Sequence, residues 1–358
     1  MTKLIQIVPT LPPLVGGVGD YAHCLAIQLT QRFHLPTHFL VSDQTWDNNV
    51  QELHYTVSNS LLKLLNTHLG SGSTVLLHYV GYGYAKRGCP IWLVEALSEW
   101  KARYPEARLI TMFHEVAASG PPWTSAFWLS GMQKHLAKRL VQISDRIITS
   151  KRSYAEILQR YAPGRFEAIP TLPVFSNIGE LQNPSSLLER TRRLVIFGGR
   201  SKRSKVYRDC LEQLHQICRH LKIQQIYDIG PPLDSLPTHI DTVSITLTGC
   251  LPSAEVSAIL ADSIAGFFSY HPAFLGKSSI FAAYCAHHVL PVSASMSDFT
   301  EEDLHPGKHY FLPAQYNREE SDIELMQTIT DNAYAWYQTH NLSRQALVFF
   351  DIIRSISV

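Results

Sequence analysis

The stretch Phe197-Gly198-Gly199-Arg200-Ser201-Lys202-Arg203-Ser204-Lys205 places four cations within six residues, directly after two glycines. Arginine grips phosphate oxygens through paired N–H donors and lysine adds a compact charge, so the pattern suits a diphosphate. A solvated face is the plainer reading for two of the four. A second loop, Pro272-Ala273-Phe274-Leu275-Gly276-Lys277-Ser278-Ser279, ends like a phosphate-binding P-loop. The first glycine of that motif falls at His271, which excludes a true P-loop. What is left is a helix start with a lysine and two hydroxyls, a local anion site.

Near the N-terminus, Gly16-Gly17-Val18-Gly19-Asp20 follows Pro12-Pro13 and opens a helical period. Glycines there let backbone N–H groups approach a ligand where the helix dipole favours anions. One alternative is a plain helix entry capped by Asp20. Another is a dinucleotide turn, from Gly17-x-Gly19-x-x-Ala22 with Asp43 as the ribose-binding acid. That turn is tight, whereas here a long loop stiffened by two prolines precedes Gly16. An NAD-linked oxidoreductase is therefore the weakest of the functional readings.

Two histidines close strand-like runs. His114 follows Ile110-Thr111-Met112-Phe113 and can hydrogen-bond a substrate hydroxyl and stabilise developing charge. A satisfied structural histidine is the equal alternative. His78, with Tyr82 and its glycine and tyrosine neighbours, reads as an acceptor-side wall. His287 and His288 point different ways on a helix, and His215 with Cys218 lacks further ligands, so no metal is expected.

The elements that must position these loops alternate between short β-branched runs and 3.6-period runs, the pattern of parallel sheets wrapped by helices. Strands are predicted over 4–8, 37–41, 75–78, 109–113, 146–149 and 166–169. Helices are predicted over 21–32, 60–68, 91–103, 125–141 and 153–161. The rhythm breaks at the proline- and asparagine-rich segment 170–193. It resumes with strands over 194–197, 226–229, 243–247, 264–269 and 290–292. Helices are expected over 206–221, 253–260 and 278–287, with a mostly helical end over 321–356. Two α/β domains joined by one linker imply a cleft lined by strand-end loops.

Bulk properties narrow the partners. The 358 residues are 45% hydrophobic and 17% charged, with 31 Lys plus Arg against 30 Asp plus Glu. A formal net charge of +1 argues against nucleic acid, whose binding needs many phosphate-neutralising cations. Six dispersed cysteines without a C-x-x-C pair suit a reducing compartment. The apolar run at the N-terminus is too short for a signal peptide and no stretch spans a bilayer, so a cytoplasmic protein is expected. Lys134, Lys138, Arg139 and Arg146 are candidates for a basic face giving weak contact with the inner side of a membrane.

In order and position these loops resemble the GT-B retaining glycosyltransferases of family 4, over nearly the whole chain. The likeness rests on Pro12 to Ala26, on His114, and on Asp145-Arg146-Ile147-Ile148-Thr149-Ser150. It continues through Arg200 with Lys205 five residues later, and Thr248-Gly249-Cys250-Leu251-Pro252. It implies two Rossmann-like domains facing a central cleft: an N-terminal, acceptor-side domain over 1–175, a linker over 176–192, and a nucleotide-sugar domain over 193–335. A C-terminal helix over 336–358 would cross back to the first domain. It also implies metal-independent transfer, with retention, from a nucleoside-diphosphate sugar to a sugar or lipid-linked acceptor, and no cofactor. His114, Arg200 and Lys205 would be catalytic. Gly16, Gly17, Gly199, Arg200, Lys205, Gly249, Leu251, Gly276, Lys277 and Ser278 would bind the donor, and His78 and Tyr82 would face the acceptor. The family's two glutamates, eight residues apart, fall at Gly276 and Tyr284. Their loss motivates a second reading, a catalytically silent nucleotide-sugar-binding protein in glycan synthesis.

Overall fold

The computed structural model describes residues 4–14, 16–43, 54–57 (backbone only), 61, 65, 73–295, 301–315 and 322–355. The chain divides into two compact units, one of Met1–Pro173 with Leu342–Val358 and one of Val174–Asn341. Both are Rossmann-like.

In the first unit the strands are β1 (Leu4–Val8), β2 (Thr37–Val41), β3 (His54–Val57), β4 (Thr74–Tyr79), β5 (Arg108–Phe113) and β6 (Arg146–Thr149). They pair in parallel in the order β3-β2-β1-β4-β5-β6. Residues of β1 and β4 are buried along their whole length, as parallel strands covered on both faces must be. Around them lie α1 (Gly17–Phe33), the single turn α2 (Gly81–Tyr84), α3 (Ile91–Arg103), α4 (Ser125–Ile143) and α5 (Arg152–Tyr161). The order reverses between β1 and β4, and at such a switch point neighbouring strand ends open a crevice.

The second unit holds β7 (Thr191–Phe197), β8 (Gln225–Ile229), β9 (His239–Ile240), β10 (Val243–Gly249), β11 (Ser263–Phe268) and β12 (Leu290–Ser293), ordered β12-β11-β7-β8-β10-β9. All pair in parallel except β9, a two-residue antiparallel edge. Its helices are α6 (Arg200–Asp209), α7 (Leu211–His220), α8 (Ser253–Ala261), α9 (Ser279–Ala286) and α10 (Ile323–Gln338). The switch point lies between β7 and β11.

The last helix, α11 (Leu342–Ser355), packs on α1 within the first unit. Phe350 stacks on Phe33 at 4.2 Å between ring centroids, and Phe349 is fully buried. The Tyr21 hydroxyl donates to Gln345 Oε1 at 2.6 Å, while Gln345 Nε2 donates to the Pro173 carbonyl at 2.6 Å.

Several expected elements need correction. No strand forms over 166–169. Phe166 and Ile169 are buried in the core, but pairing there is a single bridge from Thr149 to Thr171. The helix expected over 206–221 is two helices broken at Cys210, because the cationic run is itself helical from Arg200. Asp20 is not the cap of α1. Gly16 takes that position and Asp20 lies in the first turn. The strand β3 is an addition to the expected elements, and the helix expected over 60–68 falls outside the described residues apart from Leu61 and Leu65.

One packing constraint ties α9 to its sheet. The Tyr284 ring lies so close over Gly266 of β11 that any Cβ there would run into it. Its hydroxyl donates to the Val195 carbonyl at 3.0 Å and the Phe267 carbonyl at 3.3 Å. Gly266→Ala is expected to destabilise by about 1–3 kcal/mol through overpacking. In a Tyr284→Ala background the same change should cost less, a coupling above about 0.5 kcal/mol read from denaturant midpoints.

Candidate functional site

At the second switch point, β7 ends in Gly198-Gly199 and α6 starts at Arg200. The tips of three adjacent strands are glycines with positive φ: Gly198 at 129°, Gly230 at 145° and Gly249 at 73°. They are stitched by backbone bonds, Gly198 N to the Ile229 carbonyl at 3.1 Å and Gly230 N to the Gly249 carbonyl at 2.9 Å. A side chain on Gly230 would strike the Gly198 carbonyl, so this close approach requires glycine.

Arg203 holds the tips in place. It is buried against Asp228, with Nη1 on the carboxylate, Nη2 on the Pro231 carbonyl, and Nε donating to the Gly198 carbonyl at 2.9 Å. Tyr207 donates to the other Asp228 oxygen at 2.9 Å. Burial raises the Asp228 carboxyl and the guanidinium opposes that rise. Burial first, and then the Asp228 charge, push the Tyr207 phenol well up. Three of the four cations, Arg200, Lys202 and Lys205, remain exposed, while the fourth is structural. The spacing carries a signal for this, since Arg203 and Tyr207 lie four apart on α6, on the face that meets Asp228 of β8.

Lys202 lies over the Tyr270 ring at 4.2 Å, beside a small depression lined by Phe197, Phe268, Ser269 and Ile280. Burial first, then the Lys205 charge, lower the Lys202 ammonium. Gly276 and Ser278, expected at an anion site, are committed elsewhere. The Gly276 carbonyl accepts from Val174 N at 2.8 Å, and Ser278 is buried, its hydroxyl accepting from Phe281 N at 3.2 Å as the cap of α9. Gly276, Lys277 and Ser278 are therefore corrected from an open phosphate cradle to a short 3-10 turn in which Lys277 alone is a half-buried cation. Gly249 and Leu251 lie on the turn from β10 into α8, with Thr248 Oγ1 bonded to the Asp228 carbonyl at 3.3 Å.

At the first switch point, residues 9–16 separate β1 from α1, with Gly16 half-buried and Gly17 exposed. One turn on, the Tyr21 ring meets His114 edge-on at 5.0 Å and His78 at 5.9 Å. The structure thus brings His114 to the start of α1. His78 is different. Its ring is completely buried, with Nε2 2.7 Å from Gln6 Oε1 and Nδ1 3.1 Å from His114 Nε2. The expected acceptor wall is corrected here, since a ring without surface cannot stack on a sugar. Tyr82 is 40% exposed and its hydroxyl accepts from Gln133 Nε2 at 3.4 Å.

The protons of this chain follow from its partners. Gln6 Nε2 donates to Thr37 Oγ1, so Gln6 Oε1 accepts and His78 carries its proton on Nε2. Burial drops His78 to about 3, which keeps it neutral, and its Nδ1 accepts from His114 Nε2–H. Among the described residues no three His, Cys, Asp or Glu side chains converge as a metal site.

Solved structures share this architecture. The N-terminal domain of trehalose-6-phosphate phosphatase from Candida albicans superposes with a TM-score of 0.61 at 10% identity, covering 100% of this chain and 97% of that one. The pneumococcal O-GlcNAc transferase GtfA, in complex with UDP and GlcNAc, gives 0.59 at 8% identity with 99% of both chains covered. The chain has the GT-B glycosyltransferase fold. A further match, the catalytic domain of starch synthase IV from Arabidopsis thaliana bound to ADP and acarbose, gives 0.56 at 12% identity over 100% of each chain. No protein-family model matches the sequence, and neither does any curated protein. Identities this low establish the fold and leave the chemistry to the residues.

The neutral His78 sets an acid limit on stability. Its folded pKa lies near 3 against 6.5 when unfolded, so the unfolded chain takes up the proton first and stability falls as pH drops from 6.5. The loss approaches about 5 kcal/mol at the acid end, at 1.36 kcal/mol per pKa unit. Chemical denaturation across this range should show the decline, and a His78→Gln variant should show a shallower one.

Proposed function

We propose that this GT-B chain transfers a sugar from a nucleoside-diphosphate donor to an acceptor hydroxyl, without metal and with retention. The observation that carries the reading is the second switch point. Exposed Arg200 at the first position of α6, with Lys202 and Lys205, stands beside strand tips that end in glycine. A developing diphosphate charge needs such fixed cations, which act in place of a divalent ion. Arg200 and Lys205 would neutralise the leaving diphosphate, and the turn through Gly249 and Leu251 would carry the base.

In the proposed step the bond between the anomeric carbon and the diphosphate oxygen breaks, while the acceptor oxygen bonds that carbon on the same face. The acceptor proton passes to the departing diphosphate oxygen. In the first unit, His114, oriented through Nε2–H by His78, would bind a sugar hydroxyl, and the Gly16-Gly17 turn would face phosphate or acceptor. Sugar nucleotides and sugar acceptors are the proposed partners.

One observation favours the second reading, a silent sugar-nucleotide binder. Tyr284 stands where the family resemblance puts a ribose-holding glutamate, and both its ring and its hydroxyl are consumed in the core. Donor hydrolysis separates the two. A thermal-shift screen with UDP, GDP, ADP, their sugar conjugates and NADH should show stabilisation by one diphosphate family, about 2.7 kcal/mol at a hundredfold excess over Kd. Arg200→Ala/Lys205→Ala should abolish that shift and lower turnover about 10²- to 10³-fold. Binding without transfer or hydrolysis would leave the silent reading. A shift indifferent to the double variant would remove Arg200 and Lys205 from the site, and a response to NADH alone would reinstate the oxidoreductase.

A further inference from the structure

The first unit carries an unusual surface on α4. Trp123, just before the helix, is 84% exposed and Trp128 is 74% exposed, with Phe127 and Met132 each at 44%. Tryptophan is rarely left this open, because its indole has a large apolar body. Two such side chains five residues apart, joined by Phe127 and Met132, form a patch and not a scatter. The buried face of α4 is Gln133, Leu136, Ala137, Leu140 and Val141, so at 100° per residue these aromatics lie on the opposite arc.

The charge on that arc has one sign. No Asp or Glu occurs between Glu115 and Asp145, while Lys134 and Lys138 are exposed two and six residues beyond Met132. Gln133, on the buried face of α4, is tied to neighbouring loops. Its Oε1 accepts from Ala118 N at 2.7 Å and its Nε2 donates to the Arg87 carbonyl at 3.1 Å. This holds the loop bearing exposed Lys86 and Arg87 against the helix. Exposed Glu95 and Glu99 belong to α3, which packs against α4, and Glu99 lies 3.6 Å from Arg103. Two of the four residues expected from sequence to form a basic face do not belong to it. Arg139 turns toward Ser98 on α3, and Arg146 opens β6 beside Asp145.

We propose that this face of α4 docks on an anionic lipid surface, with Trp123, Phe127, Trp128 and Met132 entering the headgroup boundary and Lys134 and Lys138 meeting lipid phosphates. The chemistry discriminates among occupants. Indoles prefer the membrane–water boundary, where an apolar ring and a polar N–H are both satisfied. Lysines beside them gain about 1 kcal/mol each near an anionic leaflet. In a chain of net charge +1, an acid-free stretch of this length is local and not a consequence of bulk composition. Among the described residues no helix is long and apolar enough to cross a membrane, so contact would be by surface docking. The proposal does not depend on the sugar-transfer reading.

Flotation of the full chain with vesicles of phosphatidylcholine alone, or of phosphatidylcholine mixed with phosphatidylglycerol, tests it. Binding is expected to the mixed vesicles, with a blue shift of tryptophan emission, and to weaken with added salt. Trp123→Ser/Trp128→Ser and Lys134→Gln/Lys138→Gln should each weaken it about tenfold or more. All four residues are exposed, so unchanged circular dichroism and melting confirm that the variants fold. No binding to mixed vesicles at low salt overturns the proposal, as does equal binding to both lipids or binding indifferent to the variants. A tryptophan-dependent dimer in sedimentation without vesicle binding would assign the patch to a second copy instead, and also overturns it.

Discussion

Arg203 is an arginine with almost no surface, and much of the second unit's candidate site rests on how it is satisfied. Its guanidinium reaches Asp228, the Gly198 carbonyl and the Pro231 carbonyl, so one side chain binds the ends of two strands and the loop beyond them. Breaking one partner of a buried pair typically costs about 3–5 kcal/mol, since the other charge is left unpaired. Because Arg203 sits three residues after Arg200, the clamp also sets where α6 begins. The exposed cations stand on a helix whose first turn is anchored from below.

The two switch points solve different problems. In the second unit the strand tips are glycines and the side chains above them are cations exposed to water. In the first, the tip of β4 is filled by a neutral histidine, and the polar chain Thr37–Gln6–His78–His114 runs inward under Tyr21. A buried polar chain of this kind is worthwhile only when every member is paired, and here each link has a partner within 3.3 Å. One end is suited to holding negative charge, the other to presenting one ring in one tautomer. That division fits a donor phosphate and a sugar hydroxyl, and is why the proposed roles are split between the units.

Tyr284 shows how the same fold can be served by different chemistry. Where the family resemblance puts a carboxylate for ribose, a phenol closes against Gly266 and two strand carbonyls. Burial holds that phenol far above its ordinary range, so it stays a neutral donor. Ribose recognition, if this chain performs it, must come from other groups.

The order of strands and helices was legible from the sequence alone. Predominantly apolar runs such as Leu4–Val8 and Leu109–Phe113 are fixed by local composition, and so is the periodicity of α3 and α4. The cationic run at 200–205 and the histidine after β5 were visible too, because residue type needs no partner to be read. Partners are what the sequence could not supply. Arg203 looks like its exposed neighbours until Asp228, 25 residues away, is folded against it. His78 looks like an exposed strand-end histidine until Gln6, 72 residues earlier, accepts a hydrogen bond from its Nε2–H. The Phe166–Ile169 run reads as a strand, yet Phe166 and Ile169 pack in the core without a ladder. Burial and hydrogen bonding are properties of pairs distant in sequence, and the tertiary structure alone brings those pairs together.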